Sequence, residues 1–127
     1  MSEAKEFTIK RSEWARGNID GGSATLLLSK VTNLKCCLGF YGMACGAEEY
    51  AILDQFTPTK LQEFWPAWLF ERDYASNGYG PGRYDDKVSA YYELTNINDE
   101  LKIDEEVREA KVIDVFARHG VTVNFVD

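Results

Sequence analysis

Asn33-Leu34-Lys35-Cys36-Cys37-Leu38-Gly39-Phe40-Tyr41-Gly42-Met43-Ala44-Cys45-Gly46 holds all three cysteines, three of the ten glycines, and no charge after Lys35. A run that is apolar on every side is either a buried helix or a buried strand. The length from Cys36 to Cys45 exceeds what a strand usually needs. Asn33 is a residue type that caps a first turn, and Gly46 stands where a left-handed residue ends a helix. The spacing therefore predicts a helix. Cys36, Gly39, Gly42 and Cys45 recur every three residues and draw a thin ridge along it. Such a ridge lets another backbone approach closely, which explains why glycine is tolerated inside a helix. The expected picture is a buried central helix wrapped by the rest of the chain.

Before it, Glu6-Phe7-Thr8-Ile9-Lys10 alternates polar and apolar, so Phe7 and Ile9 should face a core from a short strand. Residues 23–29 contain Ala24-Thr25-Leu26-Leu27-Leu28 and suit a second strand buried on both faces. After it, residues 47–53 add a helical turn, and Thr57-Pro58 reads as the start of a short helix that must end before Pro66. Phe64, Trp65, Trp68, Leu69 and Phe70 form an aromatic cluster, either a lid over the core or a binding surface. Residues 77–84 are a loop by composition, and the segment 76–84 should be the most mobile internal one. Residues 86–96 return to helical character, and Asn98-Asp99-Glu100 breaks the pattern.

The last helix has the clearest signals. Asp104 caps it, Glu105 and Glu106 suit its positive end, and Gly120 stops it. Val107, Ala110, Ile113, Phe116 and Ala117 form its expected apolar stripe, and residues 121–125 alternate as a closing strand. The fold class expected is α+β in a single domain spanning residues 1–127. Its small, mostly antiparallel sheet would join the first, second and last segments, with the central helix and the amphipathic C-terminal helix against it.

The net charge of −7 is unevenly placed: residues 93–127 carry four basic and nine acidic side chains. An acidic chain is a poor candidate for nucleic acid, whose affinity comes largely from neutralising phosphates. An acidic face suits either solubility or a basic protein surface. No apolar run approaches the roughly 20 residues of a membrane span, and residues 1–6 lack a signal-peptide core. The expected setting is the cytoplasm, with reduced thiols. Cys45 would lie about 12 Å along the helix from Cys37, too far for a disulfide.

Four phrases carry a resemblance. They are Ile9-Lys10-Arg11-Ser12-Glu13-Trp14-Ala15-Arg16-Gly17, Lys35-Cys36-Cys37-Leu38-Gly39-Phe40, Thr95-Asn96-Ile97-Asn98-Asp99, and Arg108-Glu109-Ala110 through Phe116 to residues 120–126. Together they cover about half the chain, and residues 47–87 lie outside them. The chain resembles small uncharacterised proteins of bacteriophages and bacterial mobile elements with an Arg-Ser-x-Trp and Cys-Cys-Leu-Gly-Phe signature. That resemblance implies an origin and a cytoplasmic setting, and no activity.

A cysteine at a helix start has its thiolate favoured by the helix dipole, so Cys36 or Cys37 could serve as a nucleophile with His119, the single histidine. Cys37-Leu38-Gly39-Phe40 faintly echoes cysteine peptidases of the NlpC/P60 kind. Against that dyad, apolar neighbours desolvate a thiol and raise its pKa, and His119 is equally a cation at a helix end. No spacing matches a zinc site, and no cofactor motif is present. Two places could bind a ligand. Arg11, Trp14 and Arg16 set cations beside an indole, suited to an anion or a stacked base. Tyr79, Arg83 and Tyr84 decorate the glycine-rich loop. In each case amphipathic side chains folded over a core are the alternative. The leading expectation is a non-catalytic binding protein acting on a host protein or a small ligand, of undefined oligomeric state. A cysteine-dependent hydrolase is the competing one.

Overall fold

The computed structural model describes residues 4–17, 27–30, 32–53, 65–70, 72–74 and 87–127. β1 (Glu6–Lys10) and β4 (Thr122–Val126) pair along their length, with Phe7 opposite Val123 and Ile9 opposite Phe125. Phe7, Ile9 and Val123 are buried while Thr8, Thr122 and Asn124 are exposed, so one face meets the core and the other meets water. Each fully buried apolar side chain of this size contributes about 1.5–3 kcal/mol relative to exposure.

The two strands run parallel, which corrects the antiparallel expectation. A period of two is the same in either sense, so alternation carries no strand direction. The connection is long enough to allow a parallel pairing. Most of the chain separates β1 from β4, far more than the dozen or so residues a parallel crossover needs. A second pair, β2 (Arg72–Tyr74) with β3 (Lys87–Ser89), is antiparallel and separate. The class is α+β. Of the expected strand over residues 23–29, Leu27 and Leu28 are buried and Leu28 makes an isolated parallel bridge to Leu53. Its first residues lie outside the described ones, as do the helix at Thr57-Pro58, Phe64, and the loop with Tyr79, Arg83 and Tyr84.

α1 (Cys37–Ala44) is buried from Cys37 through Gly42. Its end is a Schellman closure: Gly46 has φ 109°, its N–H donates to Met43, and the Ala47 N–H donates to Gly42. Its start differs from expectation. Cys36, not Asn33, occupies the N-cap position. Asn33 sits in an earlier turn at φ 62°, donating its N–H to the Ser29 carbonyl. The orphan N–H of Cys37 is satisfied from far along the chain, by the side-chain oxygen of Asn98 at 3.0 Å. α2 (Glu49–Ile52) is the expected short turn of helix.

The small-residue ridge of α1 does admit close neighbours. A Cβ on Gly39 would fall on the Leu27 carbonyl oxygen, and one on Gly42 would fall on the Trp65 indole. Gly39→Ala should therefore destabilise the protein. Overpacking against backbone costs about 1–3 kcal/mol, whereas alanine gains about 1 kcal/mol over glycine in a helix interior. A urea melt should show a lower midpoint. An unchanged or raised midpoint would mean that the Leu27 segment yields freely.

α3 (Ala90–Asp99) runs through Asn98 and Asp99, where the sequence suggested a break. α4 (Glu105–Ala117) begins after Asp104, which makes no side-chain cap bond, and stops before Gly120 at φ 79°. Its apolar stripe is corrected. The buried residues are Arg108, Val112, Val115 and Phe116, while Val107 and Ile113 are 45% and 41% exposed and Ala110 and Ala117 are exposed. At 100° per residue the outward set centres roughly 170° from the inward one. α4 thus carries two apolar faces, and its own core uses one. On the used face, Phe116 meets Phe7, Tyr41 and Trp68 at centroid distances of 4.9, 4.9 and 5.9 Å. Trp65 and Leu69 are buried beside that cluster, which packs as part of the core.

Candidate functional site

Arg11, Trp14 and Arg16 are brought together, but toward the inside. Trp14 is 0% exposed, so no ring face is open to a stacked base. Its indole N–H donates to Asn98 at 2.7 Å, and Phe125 lies against its ring at 5.3 Å. The Arg16 guanidinium lies 4.4 Å over the same ring, donating to Glu105 at 2.7 Å and to the Trp14 carbonyl at 2.9 Å. Arg11 grips Glu109 through two bonds of 2.8 and 2.9 Å and reaches Asp127 at 3.0 Å. The bond to Glu109 raises the Arg11 pKa above its already high ordinary value. Glu105 and Glu109 stand four residues apart, on one side of α4. Both cations are thus spent on docking that helix to the N-terminal segment.

The same region holds a polar hub that the sequence did not reveal. The Asn98 side chain accepts from Trp14 and from the Cys37 N–H, and donates to the Ala15 carbonyl at 3.0 Å. Arg108, 0% exposed, donates to the carbonyls of Ile97, Asn98 and Glu100 at 2.7, 2.8 and 2.7 Å. Those carbonyls end α3, where no intrahelical donor remains and a cation is favoured. Burial tends to raise the Glu105 carboxyl, but hydrogen bonds from Arg16 and Arg108 outweigh it and hold the group below its ordinary value. Stability from Glu105 is therefore present above the unfolded carboxyl range and lost as pH falls through the depressed folded value. Glu105→Gln should melt lower than wild type at neutral pH and converge with it in acid. Parallel melting curves across that range would contradict this.

Cys36, Cys37 and Cys45 are all buried and none is in a disulfide. Burial pushes the Cys36 thiol up to about 12, against the backbone N–H groups of the first turn, and pushes Cys37 well above its ordinary value. The Cys37 Sγ lies 4.0 Å from the Leu94 carbonyl. The His119 ring is stacked on Trp68, 4.2 Å between centroids and 7° from parallel. Desolvation outweighs the dipole here: a helix N-terminus is worth about 0.3–1 kcal/mol, less than one pKa unit. Iodoacetamide should label all three thiols slowly in the native protein and at free-thiol rates once it is unfolded. Fast native labelling of Cys36 or Cys37, slowed in His119→Ala, would reinstate a nucleophile. Among the described residues no group of three or more His, Cys, Asp or Glu is gathered for a metal. None of the described helices is long and apolar enough to cross a membrane.

The described residues also form a concave feature on the surface. A groove of about 450 Å³ runs between α3 and α4, within the range of small-molecule and peptide sites. Ile97, Val107, Ala110 and Val115 give it an apolar lining. Glu93, Glu106, Asp114 and Lys111 give it charge, three carboxylates to one ammonium. Glu93 and Asp114 share Arg118, at 2.8 and 3.4 Å. Glu106 makes no ion pair among the described residues.

No family model, curated protein or solved structure matches the chain. Sequence reasoning overlooked Asn98 and Arg108, and it placed the Val107, Ala110 and Ile113 face inside. A signal was present. Glu105 and Glu109 at i and i+4 match the cations Arg11 and Arg16, and that pairing marks the side of α4 turned to the N-terminal segment.

Proposed function

We propose that this chain is a non-catalytic cytoplasmic binding protein that engages a protein partner through the outward face of α4 and the groove beside α3. The observation that carries it is the second apolar face of α4, left in water by the chain's own core and bordered by a groove. Exposed apolar surface that continues into a concave site marks interaction surfaces more often than scattered single residues do. The resemblance to phage and mobile-element proteins supplies the setting, a bacterial host whose proteins are the partner pool. A cysteine hydrolase is the weaker reading, because the thiols are desolvated and His119 lies flat on Trp68.

The test is capture from bacterial lysate with the full chain, compared across two variants. Ala110→Arg puts a long charged side chain into the groove from an exposed helical position that tolerates it. Glu49→Lys alters charge on α2, outside the groove. Partners lost with Ala110→Arg and kept with Glu49→Lys support the reading. Partners kept by both would overturn it.

A further inference from the structure

The groove lies along two helices that already pack on each other, and its lining repeats with helical spacing. Val107, Ala110 and Asp114 are three and four residues apart on α4, while Glu93 and Ile97 are four apart on α3. From Glu106 to Asp114 this covers about 12 Å of axis, or two turns. Paired helices leave between them a furrow of the width that a third helix fills, with its i, i+3, i+4 and i+7 residues as anchors. Small Ala110 lets such a helix come near, and half-exposed Val107 offers it apolar contact above a floor formed by the buried Ile97 and Val115.

Charge then selects the occupant. Of the four bases in residues 93–127, Arg108 is buried and Arg118 is shared by Glu93 and Asp114. Of the nine acids, Glu105 and Glu109 are bound by Arg16 and Arg11. Glu106 at the groove and exposed Glu100 and Asp104 beside the helix ends remain against exposed Lys102 and Lys111. The groove's own charged side chains sum to −1, with Glu93, Glu106 and Asp114 against Lys111 and Arg118, in a chain whose net charge is −7. A second copy of this chain would bring the same sign to the same place, with −7 on each.

We infer that the groove between α3 and α4 takes a cationic amphipathic helix from a partner protein, with aliphatic anchors in the furrow and Lys or Arg facing Glu106 and its neighbours. This deepens the binding reading above and rests on it.

The experiment selects binders from a display library of randomised two- to three-turn helical peptides against the full chain. Enriched sequences should carry apolar residues at i, i+3 or i+4 and i+7 with Lys or Arg beside them. A labelled peptide of that pattern should bind about tenfold more weakly to Glu106→Lys, and still more weakly to Glu106→Lys with Ala110→Arg. Affinity for Glu49→Lys should be unchanged. Acidic or unpatterned enriched peptides would overturn the proposal, as would binding indifferent to the groove variants. A dimer in sedimentation that Ala110→Arg dissolves would overturn it too, because the chain itself would then be the occupant. If no basic helix is enriched while lysate capture still depends on Ala110, the helix proposal fails and the binding reading stands. If capture also ignores Ala110, both fail.

Discussion

Arg108→Leu is expected to destabilise the protein by about 3–5 kcal/mol, the usual cost of removing one side of a buried charged network. Leucine restores apolar volume, so this variant separates polar from packing contributions. What it cannot restore are the three donors to the Ile97, Asn98 and Glu100 carbonyls, which lose their Arg108 bonds at the end of α3. Glu105 would keep Arg16 but lose its second cation. In a thermal melt the midpoint should fall by about 10 °C or more for a chain of this size. Arg108→Lys should recover only part of it, because one ammonium cannot span carbonyls that the guanidinium fork reaches together. A leucine variant as stable as wild type would mean that α3 closes its end without α4.

Asn98→Leu is expected to cost at least about 3 kcal/mol, since up to three buried groups lose a partner and each unmet group costs about 1–3 kcal/mol. The groups are the Trp14 indole N–H, the Cys37 N–H at the start of α1, and the Ala15 carbonyl. One side chain therefore ties the N-terminal segment, α1 and α3 into a single cooperative unit. Beyond the melt, the Trp14 indole proton should exchange with solvent slowly in the wild type and much faster in Asn98→Leu. Equal protection in both would show that burial, not this hydrogen bond, shields the indole.

Much of the fold was legible because it depends on local chemistry. The Gly46 closure of α1, the Gly120 stop of α4 and the alternation of β1 and β4 can each be read from a few neighbouring residues. Three features were not. Strand direction is invisible to alternation, so the parallel pairing of β1 with β4 could not be read there. The cap of α1 comes from Asn98, sixty-one residues from Cys37, and no local pattern encodes it. The third is the choice between two apolar faces on α4. Hydropathy favours Val107, Ala110 and Ile113 over a face that contains an arginine. Yet the arginine face is inside, because Arg108 finds three carbonyls there and its charge is met by Glu105.

The candidate site was legible in part for the same reason. Arg11, Trp14 and Arg16 stood out as cations beside an indole, and they do converge. The i, i+4 pair Glu105 and Glu109 was a sign of acids matching those cations, but nothing in the sequence shows that Asn98 joins them from far along the chain and turns a ligand-like cluster into a docking joint. The groove arises only when α3 and α4 lie side by side, so its eight lining residues are scattered among unremarkable helix positions.

The binding role proposed for α4's outward face is tested most directly by site-specific photo-crosslinking. A photoreactive amino acid placed at Val107 or Ile113 reports what lies within reach of that face in living bacteria, and the same group at Tyr50 serves as an exposed position off α4. Both α4 positions are in water, so the substitution should leave the melting midpoint close to wild type. The expected result is a discrete cross-linked species from Val107 and Ile113 that is absent from Tyr50. No adduct from the α4 positions, or the same adducts from all three, would contradict a binding role for this face.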